Sequence, residues 1–239
     1  MRTIAIIPAR GGSKGIHRKN IVDFCGYPLI SWTIACARRC SLVEKVYVST
    51  DDAEIASIAT VYGAEVIHRP ANISGDTATS ESALIHACDV IGQNRNLPEI
   101  IIMMQATSPL RETSELDGAL SKFAEGGVDS MFSAARPEDT LLWFDDASGL
   151  QSLNFDYRAR KRRQDAAHGP QIWIETGSFY VMKTELLLSS QNRLGGRIGM
   201  LPVPFWKSFE IDSLESLQIC AALMRIFRLD TVTPNSREH

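Results

Sequence analysis

Short apolar runs recur at residues 4–7, 46–49, 100–104 and 131–133, and between them the apolar positions fall three and four apart. Runs of that length bounded by turn residues predict strands, and the intervening spacing predicts amphipathic helices. Pro28 opens a helix with Leu29, Trp32, Ile34 and Ala37 facing inward. Asp51 or Asp52 caps a second, which buries Ile55, Ile58, Ala59 and Tyr62 and stops at Gly63. Thr79 begins a third through Leu84, Ile85 and Cys88, and Thr113 or Ser114 caps a fourth carrying Leu116, Ala119, Leu120 and Phe123. Strand and helix alternate in this way through four β/α units, which predicts an α/β fold, doubly wound around a mostly parallel sheet.

The order weakens after residue 136, where charged and aromatic residues mix without a period, so residues 136–172 are expected to leave the sheet as an excursion. Strands near 178–182 and 200–203 bring the chain back, and Asp212-Ser213-Leu214-Glu215 begins a last amphipathic helix to about residue 228. The expected layout is a single domain over residues 1–230 with a frayed tail at 231–239. With 239 residues, 44% of them hydrophobic and 22% charged, one ordinary core is affordable.

The formal charge of −3 argues against a general nucleic-acid binder, so positive charge matters only where it clusters. No apolar run approaches ~18 residues, so no membrane partner is expected; the apolar start is too short for a signal-peptide core. Five cysteines without C-x-x-C spacing argue against a disulfide framework and a zinc site, and favour a reducing compartment, the cytoplasm. Cys36 and Cys40 share a helix face, which packing explains.

The first strand runs straight into Arg10-Gly11-Gly12-Ser13-Lys14-Gly15-Ile16-His17-Arg18-Lys19-Asn20. Glycines let a backbone turn its N–H groups toward an anion, and Arg10, Lys14 and Lys19 bring charge for polyphosphate oxygens. A glycine-rich turn with solvated basic residues is the plainer alternative, and neither the P-loop nor the dinucleotide spacing is present. Pro8-Ala9-Arg10 with Ser13-Lys14 and Lys19-Asn20 resembles the signature of the acylneuraminate cytidylyltransferases, which make CMP-sialic acids from CTP. The resemblance implies a Rossmann-like nucleotidyltransferase fold that binds the nucleotide through Arg10, Gly11, Gly12, Ser13, Lys14, Lys19 and Asn20, with the triphosphate on Arg10, Ser13 and Lys14.

Ligands of doubly wound sheets sit outside the carboxyl ends of the strands, where the remaining polar loops are also expected. Residues 68–81 read as a binding loop: Arg69, backbone groups around Ala78 and the Ser80 hydroxyl suit a pyrimidine's polar edge, although Thr79 and Ser80 equally suit a helix cap. The segment R-P-x-x-x-x-x-D-T-A-x-S is similar to the family's cytosine-contacting one. Gln105-Ala106-Thr107-Ser108-Pro109-Leu110-Arg111 resembles the family's Q-x-T-S-P-L-R, with Gln105 poised for a sugar hydroxyl and Arg111 expected to pair with a carboxylate.

In Phe209-Glu210-Ile211-Asp212 the acids alternate, and paired hard oxygens suit Mg²⁺, although Asp212 equally suits a helix N-cap. The family carries an I-D-I-D-like magnesium pair here, which implies Asp212 and Glu210 as metal ligands. The basic run ending in Arg163-Gln164 is a solvated face or, by resemblance, the clamp for a sugar carboxylate. Glu175-Thr176-Gly177-Ser178-Phe179-Tyr180 resembles the family's N-G-x-x-Y sugar-site segment with Thr176 in place of Asn, which implies sugar contacts from Glu175, Thr176, Gly177 and Tyr180. Phe205 and Trp206 either wall that pocket or pack an interface.

As a whole the resemblance implies a Mg²⁺-dependent homodimer, its excursion reaching the partner's sugar site, with Arg10, Lys14 and Asp212 as the catalytic residues. CTP and an N-acylneuraminate would give CMP-N-acylneuraminate and diphosphate. The alternatives are another 2-keto-3-deoxy sugar acid (legionaminic acid, Kdn or Kdo), or a non-catalytic nucleotide-binding relative.

Overall fold

A computed structural model describes residues 1–13, 15–94, 96–137, 141–160, 162 and 171–235. Four strands, β1 (Thr3–Pro8), β4 (Lys45–Thr50), β5 (Glu65–His68) and β6 (Ile100–Met104), run parallel, with β1 at the centre of this half. Two short strands, β2 (Asp23–Phe24) and β3 (Tyr27–Pro28), form a small hairpin outside it. The other half holds β7 (Ser130–Ala135), β10 (Ile174–Lys183) and β11 (Ile198–Val203), giving a seven-stranded sheet in the order β11-β7-β10-β6-β1-β4-β5. Only β10 is antiparallel to its neighbours, and it lies between β6 and β7. The sheet is therefore mostly parallel, as the alternation predicts.

Both faces are covered, which is why the central strands read as unbroken apolar runs. On one face Ala5, Ile7, Val48, Ile102, Met104 and Phe179 meet α1 (Leu29–Arg39), α2 (Ala53–Val61) and α4 (Thr113–Ala124) through Ile30, Ile34, Ile55, Leu116 and Leu120. On the other, Ile4, Ile6, Ile101, Met103 and Met182 meet α3 (Ser80–Asn94) and α5 (Thr184–Ser190) through Leu84, Cys88, Ile91 and Leu187. Full burial of each such side chain contributes about 1.5–3 kcal/mol. Asp52, not Asp51, caps α2, accepting from the N–H groups of Glu54 and Ile55.

A third cluster joins the two ends of the chain. Ile16 of the glycine-rich loop, Leu29, Trp32, Leu110 and Ile211 close around Cys220 and Met224 of α6 (Leu214–Ile226). This packing carries the late acidic segment back to the first loop of the chain.

Within the expected excursion, β8 (Trp143–Asp146) and β9 (Gly149–Ser152) form a separate hairpin. It leaves Leu142, Trp143, Phe144, Leu150 and Leu153 exposed. At the tail, the Thr233 carbonyl accepts from Arg39 and Pro234 is buried.

Candidate active site

A cleft of about 500 Å³ opens at the carboxyl ends of β1, β5 and β6. Its walls include Arg10, Gly12, Ser13, Gly15, Lys19 and Asn20 from the first loop, and Arg69, Ala78, Thr79 and Ser80 from the second. Gln105 and Asp212 complete it. These segments are far apart in sequence, and the carboxyl-end rule brings them together.

The glycine-rich loop is braced from behind. The Asn20 amide donates to the Arg10 carbonyl at 2.9 Å, and the Gly11 N–H donates to Asp51 Oδ1 at 3.0 Å. A Cβ on Gly11 would lie 2.8 Å from Asp52 Oδ2, and one on Gly15 would lie 2.1 Å from the Asp212 carbonyl oxygen. Glycine is required at both places by close approach of neighbouring groups. Arg10 reaches across the cleft mouth to Asp76 at 3.1 Å and to the Gly75 carbonyl at 2.8 Å. Lys14 lies outside the described residues.

Arg69 is buried, and it donates to Ser49 Oγ at 3.2 Å and the Ser49 carbonyl at 2.5 Å. Desolvation lowers its pKa, against the pull of Asp51. Thr79 does the capping expected of the Thr79-Ser80 pair, its Oγ1 accepting from the Ser82 N–H at 3.1 Å, while Ser80 lines the cleft as the first residue of α3.

The two late acids flank the buried Ile211 and differ sharply. Ser213 is the helix cap and accepts from Ser216, which releases Asp212 from that role. The Asp212 carboxylate is exposed and paired with Lys19 Nζ at 2.7 Å. Glu210 turns inward, accepting from Ser108 Oγ at 3.3 Å, and a Cβ on Gly177 would collide with its Oε1. Burial pushes the Glu210 carboxyl above the usual carboxylate range, and the nearby Asp212 charge adds to this. Among the described residues no three His, Cys, Asp or Glu side chains form a ready-made metal cage. One exposed carboxylate with a second behind it fits Mg²⁺, which is commonly bound by one or two carboxylates plus substrate phosphates.

Gln105 stands at the end of β6, with its Oε1 accepting from Thr107 Oγ1 at 3.2 Å. Arg111 corrects an expectation. Its fork meets the carbonyls of Gln105 and Ser178 and the hydroxyls of Thr33 and Ser178, and no carboxylate among the described residues. Thr176 corrects another: it is buried in the sheet against Ser133 Oγ at 2.7 Å and does not reach the cleft. Gly177 takes φ +65° and makes room for Glu210 and Gln105. The Tyr180 hydroxyl donates to Glu175, and the Arg193 guanidinium, paired with Glu81 at 2.7 Å, sits 4.7 Å above the Tyr180 ring. None of these four residues is among those lining the cleft. Arg163 and Gln164 lie outside the described residues.

Phe205 stays partly exposed against Phe209, and Trp206 stacks on Phe227 at 3.8 Å, so Trp206 packs against the end of α6. Sequence reasoning missed Asp51 as a brace of the glycine-rich loop. For Asp51 a signal existed, since it directly follows β4 at the sheet's ligand-facing end.

Residues 4–165 match the family model described as cytidylyltransferase. The chain belongs to the cytidylyltransferase family. It is therefore a nucleotidyltransferase by family. A pseudaminic acid cytidylyltransferase of Campylobacter jejuni subsp. jejuni serotype O:23/36 (strain 81-176) is 29% identical over 231 residues, covering 95% of this chain and 97% of the relative. N-acylneuraminate cytidylyltransferase A of Danio rerio is 37% identical over 191 residues, 77% of this chain and 42% of the relative. The N-acylneuraminate cytidylyltransferase of Escherichia coli O18:K1:H7 (strain RS218 / NMEC) is 32% identical over 189 residues, 76% and 44%. This cytidylyltransferase thus spans less than half the length of those two N-acylneuraminate relatives. Among solved structures, a CMP:2-keto-3-deoxy-manno-octonic acid synthetase complexed with CTP shares the fold with a TM-score of 0.69 at 16% identity, covering 95% of this chain and 100% of the other. No helix among the described residues is long and apolar enough to cross a membrane.

Proposed function

We propose that this cytidylyltransferase transfers CMP from CTP to the anomeric hydroxyl of an N-acylneuraminate, releasing diphosphate. The observation that carries the reading is the convergence of the glycine-rich basic loop, the Arg69–Ser80 loop, Gln105 and Asp212 on one cleft. The names of the relatives supply the sugar class.

In this reading the triphosphate lies along Arg10, Gly12, Ser13, Lys14 and Lys19, with cytosine against Arg69, Ala78 and Ser80. Arg10 exchanges Asp76, and Lys19 exchanges Asp212, for phosphate oxygens. Asp212, with Glu210 behind it, would hold Mg²⁺, which when bound offsets the charge on the phosphates. Gln105, Gly177 and the Arg163-Gln164 pair orient the sugar acid. The sugar hydroxyl oxygen bonds to the α-phosphorus while the bond from phosphorus to the diphosphate oxygen breaks, and the hydroxyl proton is lost. Positioning and charge neutralisation supply most of the acceleration in such an in-line transfer. The exposed apolar hairpin β8–β9 supports a homodimer whose arm covers the partner's sugar site. Five free thiols support a cytoplasmic setting.

A second reading, pseudaminic acid as the sugar, is favoured by one observation: that relative aligns along nearly the whole of both chains. The test is diphosphate release from CTP, UTP, ATP and GTP against N-acetylneuraminic, pseudaminic, legionaminic, Kdn and Kdo acids, with and without Mg²⁺. The expected result is release only with CTP, an N-acylneuraminate and Mg²⁺ together. Release with pseudaminic acid alone selects the second reading, and no release with any acid overturns both.

A further inference from the structure

Arg111 is a buried cation that meets no carboxylate among the described residues, an arrangement that stability alone does not favour. Its hydrogen bonds show what it holds instead. Nε donates to Ser178 Oγ at 2.9 Å, Nη1 to Thr33 Oγ1 at 2.9 Å, and Nη2 to the carbonyls of Gln105 at 2.7 Å and Ser178 at 2.6 Å. These acceptors belong to α1, the end of β6 and the middle of β10.

The middle of β10 is irregular. Its pairing with β7 shifts register between Glu175 and Tyr180, and Gly177 within the shift has φ +65°. A bulge of this kind re-aims side chains; on its β7 side Ser133 holds it, the Ser133 Oγ meeting Thr176 Oγ1 at 2.7 Å and accepting from the Phe179 N–H at 3.3 Å. Here the Gln105 N–H donates to the Ser178 carbonyl at 3.3 Å, and Arg111 Nη2 bridges that carbonyl to the one of Gln105. A Cβ on Gly177 would sit 3.2 Å from Gln105 Nε2, so the position of the bulge sets the space in which the Gln105 amide stands.

We infer that Arg111 is a positioning residue for the sugar half of the site: its fork ties the β10 bulge to the end of β6 and so fixes the Gln105 amide at the cleft. The inference rests on the proposed reading of Gln105 as a sugar contact. The nucleotide half is braced separately, by Asn20, Asp51 and Ser49, so the two halves are separable.

The test is steady-state kinetics on the full chain, varying CTP and, separately, whichever of N-acetylneuraminic or pseudaminic acid it turns over faster. Three variants are compared: Arg111→Lys, Ser178→Ala and Gln105→Ala. A lysine keeps the charge but cannot span two carbonyls and two hydroxyls, so kcat/KM for the sugar acid should fall about 10²-fold with KM for CTP held within about twofold. Ser178→Ala removes one acceptor and leaves the backbone intact; it should shift the same way by about tenfold, and it decides the matter if Arg111→Lys does not fold. Folded Arg111→Lys or Ser178→Ala with unchanged sugar kinetics overturns the inference, as does an equal rise in both KM values, the mark of general loosening. If Gln105→Ala also leaves the sugar KM untouched, the reading of Gln105 itself has failed. If Gln105→Ala raises it while the other two do not, only the positioning role has failed.

Discussion

Asp212 is available at the cleft because its neighbour Ser213 takes over the helix cap, a division of labour between adjacent residues that both favour caps. Thr176 shows the reverse, a polar residue absorbed by the sheet. Its hydroxyl meets Ser133 Oγ and donates to the Ser133 carbonyl at 3.1 Å, so Thr176→Val is expected to cost about 0.5–1.5 kcal/mol with the sugar KM unchanged. Urea midpoints and sugar kinetics on one preparation check both parts. Lys14 offers a more drastic case. As a donor to the leaving diphosphate, its replacement in Lys14→Ala should lower turnover about 10²–10³-fold, and a folded variant with near-normal synthesis would remove Lys14 from the mechanism. At this scale the glycine loop's place at the end of the first strand was legible from residue type and spacing, whereas for Asp212 the same evidence left a helix cap and a metal ligand both open. The direction of Thr176 was not legible, because the β10 register shift alters which residues of the segment face inward.

Among the elements, β10 is the irregular one, with a register shift between Glu175 and Tyr180. Gly177 sits in the irregular stretch at φ +65°, and a Cβ there would lie 1.8 Å from Glu210 Oε1. Gly177→Ala should therefore strain the backbone and displace Glu210 together, lowering stability by about 1–3 kcal/mol and activity at least about tenfold. Thermal melts with an activity assay would show it, and a neutral substitution would mean that Glu210 moves freely. Helices α1 to α4 and strands β1, β4, β6 and β7 were readable from the apolar pattern and its turn residues. Strand β5 went unread just ahead of the polar loop at residues 68–81, since Glu65, Val66, Ile67 and His68 give only a short apolar stretch at the sheet edge. Helix α5 was hidden by its brevity, seven residues ending in Ser189-Ser190. The β8–β9 hairpin has no buried face among the described residues, and so no alternation to read.

For the molecule as a whole, the thiols give a pH signature. Burial pushes Cys36 up to about 11 and Cys40, Cys88 and Cys220 up to about 12, from 9.0. Unfolded thiols lose protons near 9.0 while the folded ones keep theirs, so this stability is complete below pH 9 and is lost as the pH rises toward 11–12. Urea midpoints that fall between pH 8 and pH 10.5 would agree, and a flat profile would not. Quaternary structure gives the other test. A chain of 26.4 kDa with an exposed Trp143, Phe144 and Leu150 should sediment as a dimer, and the double variant Trp143→Asp, Leu150→Asp as a monomer. A monomeric parent with full activity would rule out the arm as an interface.

The sequence by itself determined the α/β alternation, the phosphate-type loop and the polar segments expected at the strand ends, because these are local patterns whose physics acts within about a dozen residues. Only the tertiary structure decided which late acid faces the cleft and what Arg111 holds. Both follow from long-range packing: Ile211 and Ile16 share one buried cluster, which leaves Asp212 outside and Glu210 within. A buried guanidinium takes whatever acceptors the fold brings to it, and no spacing along a chain records which ones those will be.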